Sequence, residues 1–135
     1  MSDFPITIFH NPACGTSRNT VAMVQAAGYE PTVVEYLQAG WTKPQLQELL
    51  AAMGAKPRDM LRDKGTPAAE LGLLEPKVTD DAILDAMVEH PILVNRPIVV
   101  TPKGVKLSRP SDAVLDLLDR KPDSFTKEDG EVVRL

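Results

Sequence analysis

Strand, helix and strand follow one another within the first 36 residues, and this order restricts the fold more than any other feature of the chain. The run "PITIF" (5–9) is short, β-rich and ends at the polar "HNP". "TSRNTVAMVQAAG" (16–28) predicts a helix with Thr16 or Ser17 as its cap, Val21, Val24 and Ala27 on one face, and Gly28 at its end. "PTVVEY" (31–36) is a second strand by its β-branched content. Such a βαβ unit crosses over with a right hand in nearly all cases.

The middle of the chain is helical. Thr42 and Gln45 form a capping box ahead of Leu46, Leu49, Leu50 and Met53, with Gly54 as the stop. "KPRDMLRDKG" predicts a short helix from near Pro57 to Gly65, and "TPAAELGLLEPK" is turn-rich. Thr79 caps a helix whose stripe is Ile83, Leu84, Met87 and Val88, with Pro91 beyond its end. "IVVT" (98–101) and "VKL" (105–107) flank the turn "PKG" as a hairpin. A last helix has Pro110 near its first position and Val114, Leu117 and Leu118 facing inward. The tail from Pro122 is polar and expected to pack loosely. The order βαβ, helices, ββα predicts an α/β, thioredoxin-like core with a helical insertion at about 42–90, in a single domain spanning 1–135.

A net charge of −4 argues against broad nucleic-acid binding, so an anion site must be a local feature. No run approaches the ~20 apolar residues of a membrane span, and the N-terminus lacks the pattern of a signal peptide. A single cysteine excludes an intrachain disulfide framework and fits a reducing compartment, so the expected location is the cytoplasm.

That cysteine, Cys14, stands between Pro12 and the predicted helix, in "HNPACGTSRNT". A thiol at such a turn faces unpaired backbone N–H groups and the positive end of the helix dipole. The setting lowers a cysteine pKa from about 8.5 toward roughly 3.5–7.5, and the same amides of Gly15, Thr16 and Ser17 suit an oxyanion. The plainer reading is a small core hydrophobe; the turn, Pro12 and Gly15 favour the reactive one. "CGTS" is also C-x-x-S, so a mixed species on Cys14 needs another molecule's thiol to resolve it. His10 either favours the thiolate as an imidazolium or hydrogen-bonds at the strand end. Asn11 and Ser17 either bond to the turn or cap it.

Three arginines precede junctions: Arg62 near the end of an insertion helix, Arg96 before Pro97, and Arg109 before Pro110. Their rigid, charged forks match tetrahedral oxyanions, although an arginine is most often a solvated surface residue. In a thioredoxin-like core the proline before the third strand, often cis, lies beside the cysteine turn. Pro97 fits that place, which brings Arg96 to the sulfur. Arg18 and Arg58 are read as surface residues.

"HNPACGTSRNT", "LGL", "TDD", "HPILVNRPIVVTP", "RPS" and "FTKEDGE" together resemble the glutaredoxin-dependent arsenate reductases, the ArsC family, in order from about residue 6 to residue 131. The resemblance implies that Cys14 is the nucleophile, that Arg62, Arg96 and Arg109 bind the oxyanion, and that His10 assists the thiolate. It further implies arsenate as substrate, glutathione as co-substrate and glutaredoxin as partner. No tightly bound cofactor or metal is expected, and reducing equivalents arrive as thiols. Two departures are a tail that stops at "EVVRL" and Ser108, where some members carry a second, non-essential cysteine.

Rival readings are separable. A phosphatase-type C-x5-R site fails because its arginine would fall on Thr20. An Spx-like regulator binding RNA polymerase commonly senses oxidation through C-x-x-C, which "CGTS" lacks. A general thiol reductase or deglutathionylase without arsenic specificity is permitted by C-x-x-S.

Overall fold

β-branched Thr7 and Ile8 with Phe9 extend the chain as β1 (Thr7–His10), two residues later than the run began, because Pro5 brings no N–H to a ladder. The computed structural model describes residues 4–109, 111–119, 124–126 and 132–134. Helix α1 (Gly15–Ala26) returns the chain to β2 (Thr32–Glu35), which pairs parallel with β1, Ile8 opposite Val33. β3 (Ile98–Thr101) lies antiparallel on the other side of β1, Ile8 opposite Val99, and turns through Pro102 and Lys103 into β4 (Gly104–Leu107). The sheet order β2-β1-β3-β4, with one parallel and two antiparallel pairings, is that of the expected thioredoxin-like core.

The chain forms two compact units. One holds residues 1–35 and 96–135; the other runs from Tyr36 to Asn95. In the first unit Ile8 and Val99 stand side by side on one sheet face and pack with Met23 and Val24 of α1 and Val114 and Leu117 beyond β4. Those six are each at most 6 % exposed, so the helix carrying the cysteine turn is anchored to the centre of the sheet. Ser111–Leu117 is a 3-10 helix rather than the α-helix expected there, and Pro110 lies outside the described residues. Thr101 contributes to its hold, donating from Oγ1 to the Leu117 carbonyl at 2.9 Å. Of the polar tail from Pro122, Ser124–Thr126 (β5) and Val132–Arg134 (β6) pair antiparallel, and its other residues lie outside the described ones.

In the second unit α2 (Tyr36–Ala39) precedes α3 (Lys43–Met53), whose capping box is formed as predicted: Thr42 Oγ1 accepts from Gln45 N–H at 3.2 Å and Gln45 Oε1 accepts from Thr42 N–H at 3.4 Å. Gly54 closes it at φ 67°, a conformation that costs other residues a steric penalty. Helix α4 is only Pro57–Met60, shorter than expected, because Leu61 leaves it to bridge with Val94. Thr79 caps α5 (Asp80–Glu89), where Ile83, Leu84 and Met87 are buried but Val88 is 36 % exposed, on the helix edge rather than in the stripe. Pro91–Leu93 forms a 3-10 turn after it. Among the described residues no helix is long and apolar enough to cross a membrane.

Candidate active site

The loop between β1 and α1 is wired through Asn11, which is 2 % exposed. Its N–H donates to Ser17 Oγ at 3.1 Å, its Oδ1 accepts from Ala13 N–H at 2.9 Å, and its carbonyl accepts from Cys14 N–H at 3.0 Å. Arg18 Nη1 latches the loop from outside by donating to the Pro12 carbonyl at 2.8 Å. Cys14 is thereby held extended (φ −99°, ψ 121°) as the N-cap residue, and the first helical bond runs from Arg18 N–H to its carbonyl at 3.0 Å. The helix therefore starts before the Thr16 or Ser17 cap expected from the sequence. The reason is local: Ser17 Oγ is turned to His10 Nδ1, 2.6 Å away, and to Asn11, so it caps nothing. Thr16 lies inside the first turn, where its carbonyl accepts from Thr20 Oγ1 at 2.9 Å. A Cβ built on Gly15 meets only Arg18 Nη2, at 3.6 Å, so the backbone there is open to close approach.

Arg96 and Arg109 converge on this turn. The Arg96–Pro97 peptide is cis, and Arg96, 9 % exposed, hydrogen-bonds the thiol through its side chain. Arg109 Nη1 lies 3.6 Å from Cys14 Sγ and donates to the Arg96 carbonyl at 3.0 Å. Ser108 N–H donates to the Pro97 carbonyl at 3.0 Å, which ties the Arg109 segment to the start of β3. Arg62 belongs to the other unit, where Nε donates to the Lys64 carbonyl at 3.2 Å and Nη1 to Asn95 Oδ1 at 3.3 Å. Its backbone N–H also bonds the Leu93 carbonyl at 2.8 Å, so it is a fixed rather than a loosely solvated arginine. Arg58, read as a surface residue, donates to the Glu75 and Val78 carbonyls at 3.1 and 2.9 Å.

Electrostatics follow from these contacts. Burial pushes the Cys14 thiol up; the Ser17 backbone N–H, hydrogen bonds from Arg96 and Arg109, and the Arg96 charge pull it down, and the net result is a fall from 9.0 to about 7. His10 is pushed below its usual value chiefly by burial, with Glu35 opposing and Arg18 adding to the fall. The neutral imidazole is thereby favoured, and what it offers the turn is the hydrogen bond to Ser17.

Titrating the thiolate by its ultraviolet absorbance should give half-ionisation at about pH 7, whereas a midpoint near the free-thiol value would contradict the assigned contacts. The linkage has a definite sign. A thiol whose folded pKa is depressed stabilises the fold fully above its unfolded pKa and loses that contribution as pH falls through its folded one. Unfolding free energy should thus rise between about pH 7 and 9, and Cys14→Ala should flatten that rise.

Arg18 is the residue that sequence reasoning undervalued. Its spacing of four from Cys14 puts it one helical turn on, over the loop it latches.

The ArsC family profile matches residues 9–117. An arsenate reductase of Synechocystis sp. is 62 % identical over 98 % of this chain and 93 % of its own length. That of Escherichia coli is 54 % identical over 95 % of this chain and 92 % of its own. Among solved structures, an arsenate reductase from Vibrio cholerae superposes with a TM-score of 0.82 at 36 % identity, covering 87 % of this chain and 100 % of that one. A thiol at a helix start, faced by two arginines, therefore stands in a chain that belongs to the ArsC family.

Proposed function

We propose that this chain is an arsenate reductase that uses Cys14 as nucleophile and takes its electrons from glutathione and glutaredoxin. The observation that carries the reading is the placement of the Arg96 and Arg109 side chains on a sulfur whose pKa is about 7. Two cations around one thiolate leave the resting pocket with surplus positive charge, a fit for a tetrahedral oxyanion in a chain of net charge −4. Relatives named arsenate reductase over nearly their whole length support arsenate as that anion.

Arsenate binds against Arg96, Arg109 and the Gly15, Thr16 and Ser17 amides; the family resemblance assigns Arg62 to the same anion. The Cys14 thiolate attacks arsenic and an arsenate oxygen leaves as water, giving a thioarsenate ester. Glutathione displaces a second oxygen, again as water, and forms its own sulfur–arsenic bond. A glutaredoxin thiolate then attacks the glutathione sulfur. That bond breaks toward arsenic, which takes the electron pair and becomes trivalent, and the two thiols leave as a mixed disulfide. Hydrolysis of the remaining Cys14–arsenic bond releases arsenite and restores the thiolate. The one cysteine accounts for the two borrowed thiols, and a reducing cytoplasm is the compartment that supplies them.

Ser17 favours this reading over the redox-switch regulator, since the position of a second thiol is a hydroxyl bonded to His10. Arginines converging on the sulfur favour it over a general deglutathionylase. The test is arsenite production by the purified chain with glutathione and glutaredoxin, each omitted in turn. Turnover should need both thiols. Turnover of glutathionylated substrates with no arsenite formed would move the chain to the deglutathionylases, and capture of polymerase with no turnover would make it a regulator.

A further inference from the structure

Ser17 presents two different groups to three neighbours. Its backbone N–H favours the Cys14 thiolate, while its side chain, fully buried, lies 2.6 Å from His10 Nδ1 and 3.1 Å from Asn11 N. A serine hydroxyl has a single proton and two lone pairs. The Asn11 N–H occupies a lone pair, so the proton is free to go to His10 Nδ1, which then accepts and leaves the ring proton on Nε2. The same Asn11 residue accepts the Ala13 and Cys14 N–H groups, so the hydroxyl closes a ring that runs from the end of β1 through the loop and back to the first turn of α1.

From this geometry we infer that Ser17 is a positioning residue for the nucleophile: its hydroxyl, held between His10 and Asn11, fixes the loop whose Asn11 carbonyl takes the Cys14 N–H, and so holds the sulfur in place at the start of α1. Ser17 thus serves the site through its hold on Asn11, and its hydroxyl is already engaged by His10 and Asn11. His10 acts through the same hydroxyl, as a neutral acceptor and not as a charge. Removing the hydroxyl leaves a buried imidazole nitrogen and a buried amide without their partner, and the turn must shift to satisfy them. The inference rests on Cys14 being the nucleophile proposed above, and it is independent of arsenate being the substrate.

The test is the pH dependence of Cys14 alkylation by iodoacetamide in the full chain, compared among the unaltered protein, Ser17→Ala and Ser17→Thr. The charged groups bearing on the readout are Arg96 and Arg109 at the sulfur and Glu35 and Arg18 at His10, all present in each variant. Ser17→Ala should move the alkylation midpoint up by about one unit, making the reaction ~10-fold slower near pH 6. Ser17→Thr, which keeps a hydroxyl, should recover most of that loss. In turnover the Ser17→Ala defect should fall mainly on kcat, with a smaller rise in KM for arsenate because Arg96 and Arg109 remain to hold the anion. Superimposable alkylation curves for the unaltered protein and Ser17→Ala overturn the inference.

Should Ser17→Ala fail to fold, NMR of the imidazole nitrogens in the unaltered protein decides. An unprotonated Nδ1 on His10 at neutral pH upholds the arrangement, and a protonated one overturns it. A shifted alkylation midpoint in a protein that makes no arsenite would leave this inference standing while ending the substrate assignment.

Discussion

Arsenite production by Cys14→Ser should drop to that of a mixture lacking the protein, a loss of at least ~10³-fold in kcat. The substitution exchanges a sulfur half-ionised at about pH 7 for a hydroxyl that stays protonated throughout the working range. It leaves Arg96, Arg109 and the turn amides in place, so arsenate should still raise the thermal stability of the variant even though nothing attacks it. Binding without turnover is therefore the expected signature, read by thermal unfolding with and without arsenate beside the arsenite assay. Sustained turnover in this variant would remove Cys14 as nucleophile.

The second large effect is expected at Arg96. Its side chain both hydrogen-bonds the sulfur and contributes its charge, and its burial keeps water from screening that charge. Arg96→Ala should lower kcat/KM for arsenate by ~10²–10³-fold, the scale found when a fixed oxyanion donor is removed. The same substitution should raise the Cys14 pKa, since two of the influences holding it down originate at this residue. Arg96→Lys should restore part of the charge but not the fork, and so recover the pKa better than the turnover. Kinetics unchanged in Arg96→Ala would place the oxyanion site elsewhere in the molecule.

Local signals carried much of the architecture. The βαβ start, the Thr42–Gln45 box, the Thr79 cap and the β3–β4 hairpin are short-range features with short-range causes, and each is formed. The misplacements arise where a distant partner overrides the local preference. Ser17 reads as a cap because serine caps well in isolation, but His10, seven residues back across the loop, takes its hydroxyl. Helix α4 stops at Met60 because Leu61 and Arg62 pair with the segment around Val94, a contact no window of sequence contains. Ser111–Leu117 has an apolar pattern that suits either helix type.

The site was legible to a similar depth. Its turn singles out Cys14, and Pro97 places Arg96 beside it through the geometry of the fold. Nothing in the spacing of Arg96 and Arg109 says that the guanidinium of one rests on the carbonyl of the other. That contact depends on how β4 returns alongside β3. The resemblance and a position near a helix end single out Arg62, but no pattern along the chain connects it with its side-chain partners Lys64 and Asn95.

The contact between Arg109 and the Arg96 carbonyl matters most when the sulfur is occupied. In the proposed turnover the sulfur loses its negative charge to a covalent bond, and a cation held there by that charge alone would drift off with each round. Arg109 is also tethered to a main-chain oxygen whose partial charge never changes. It can wait in place while the adduct forms and decays, so the next anion meets a receptor that needs no reassembly.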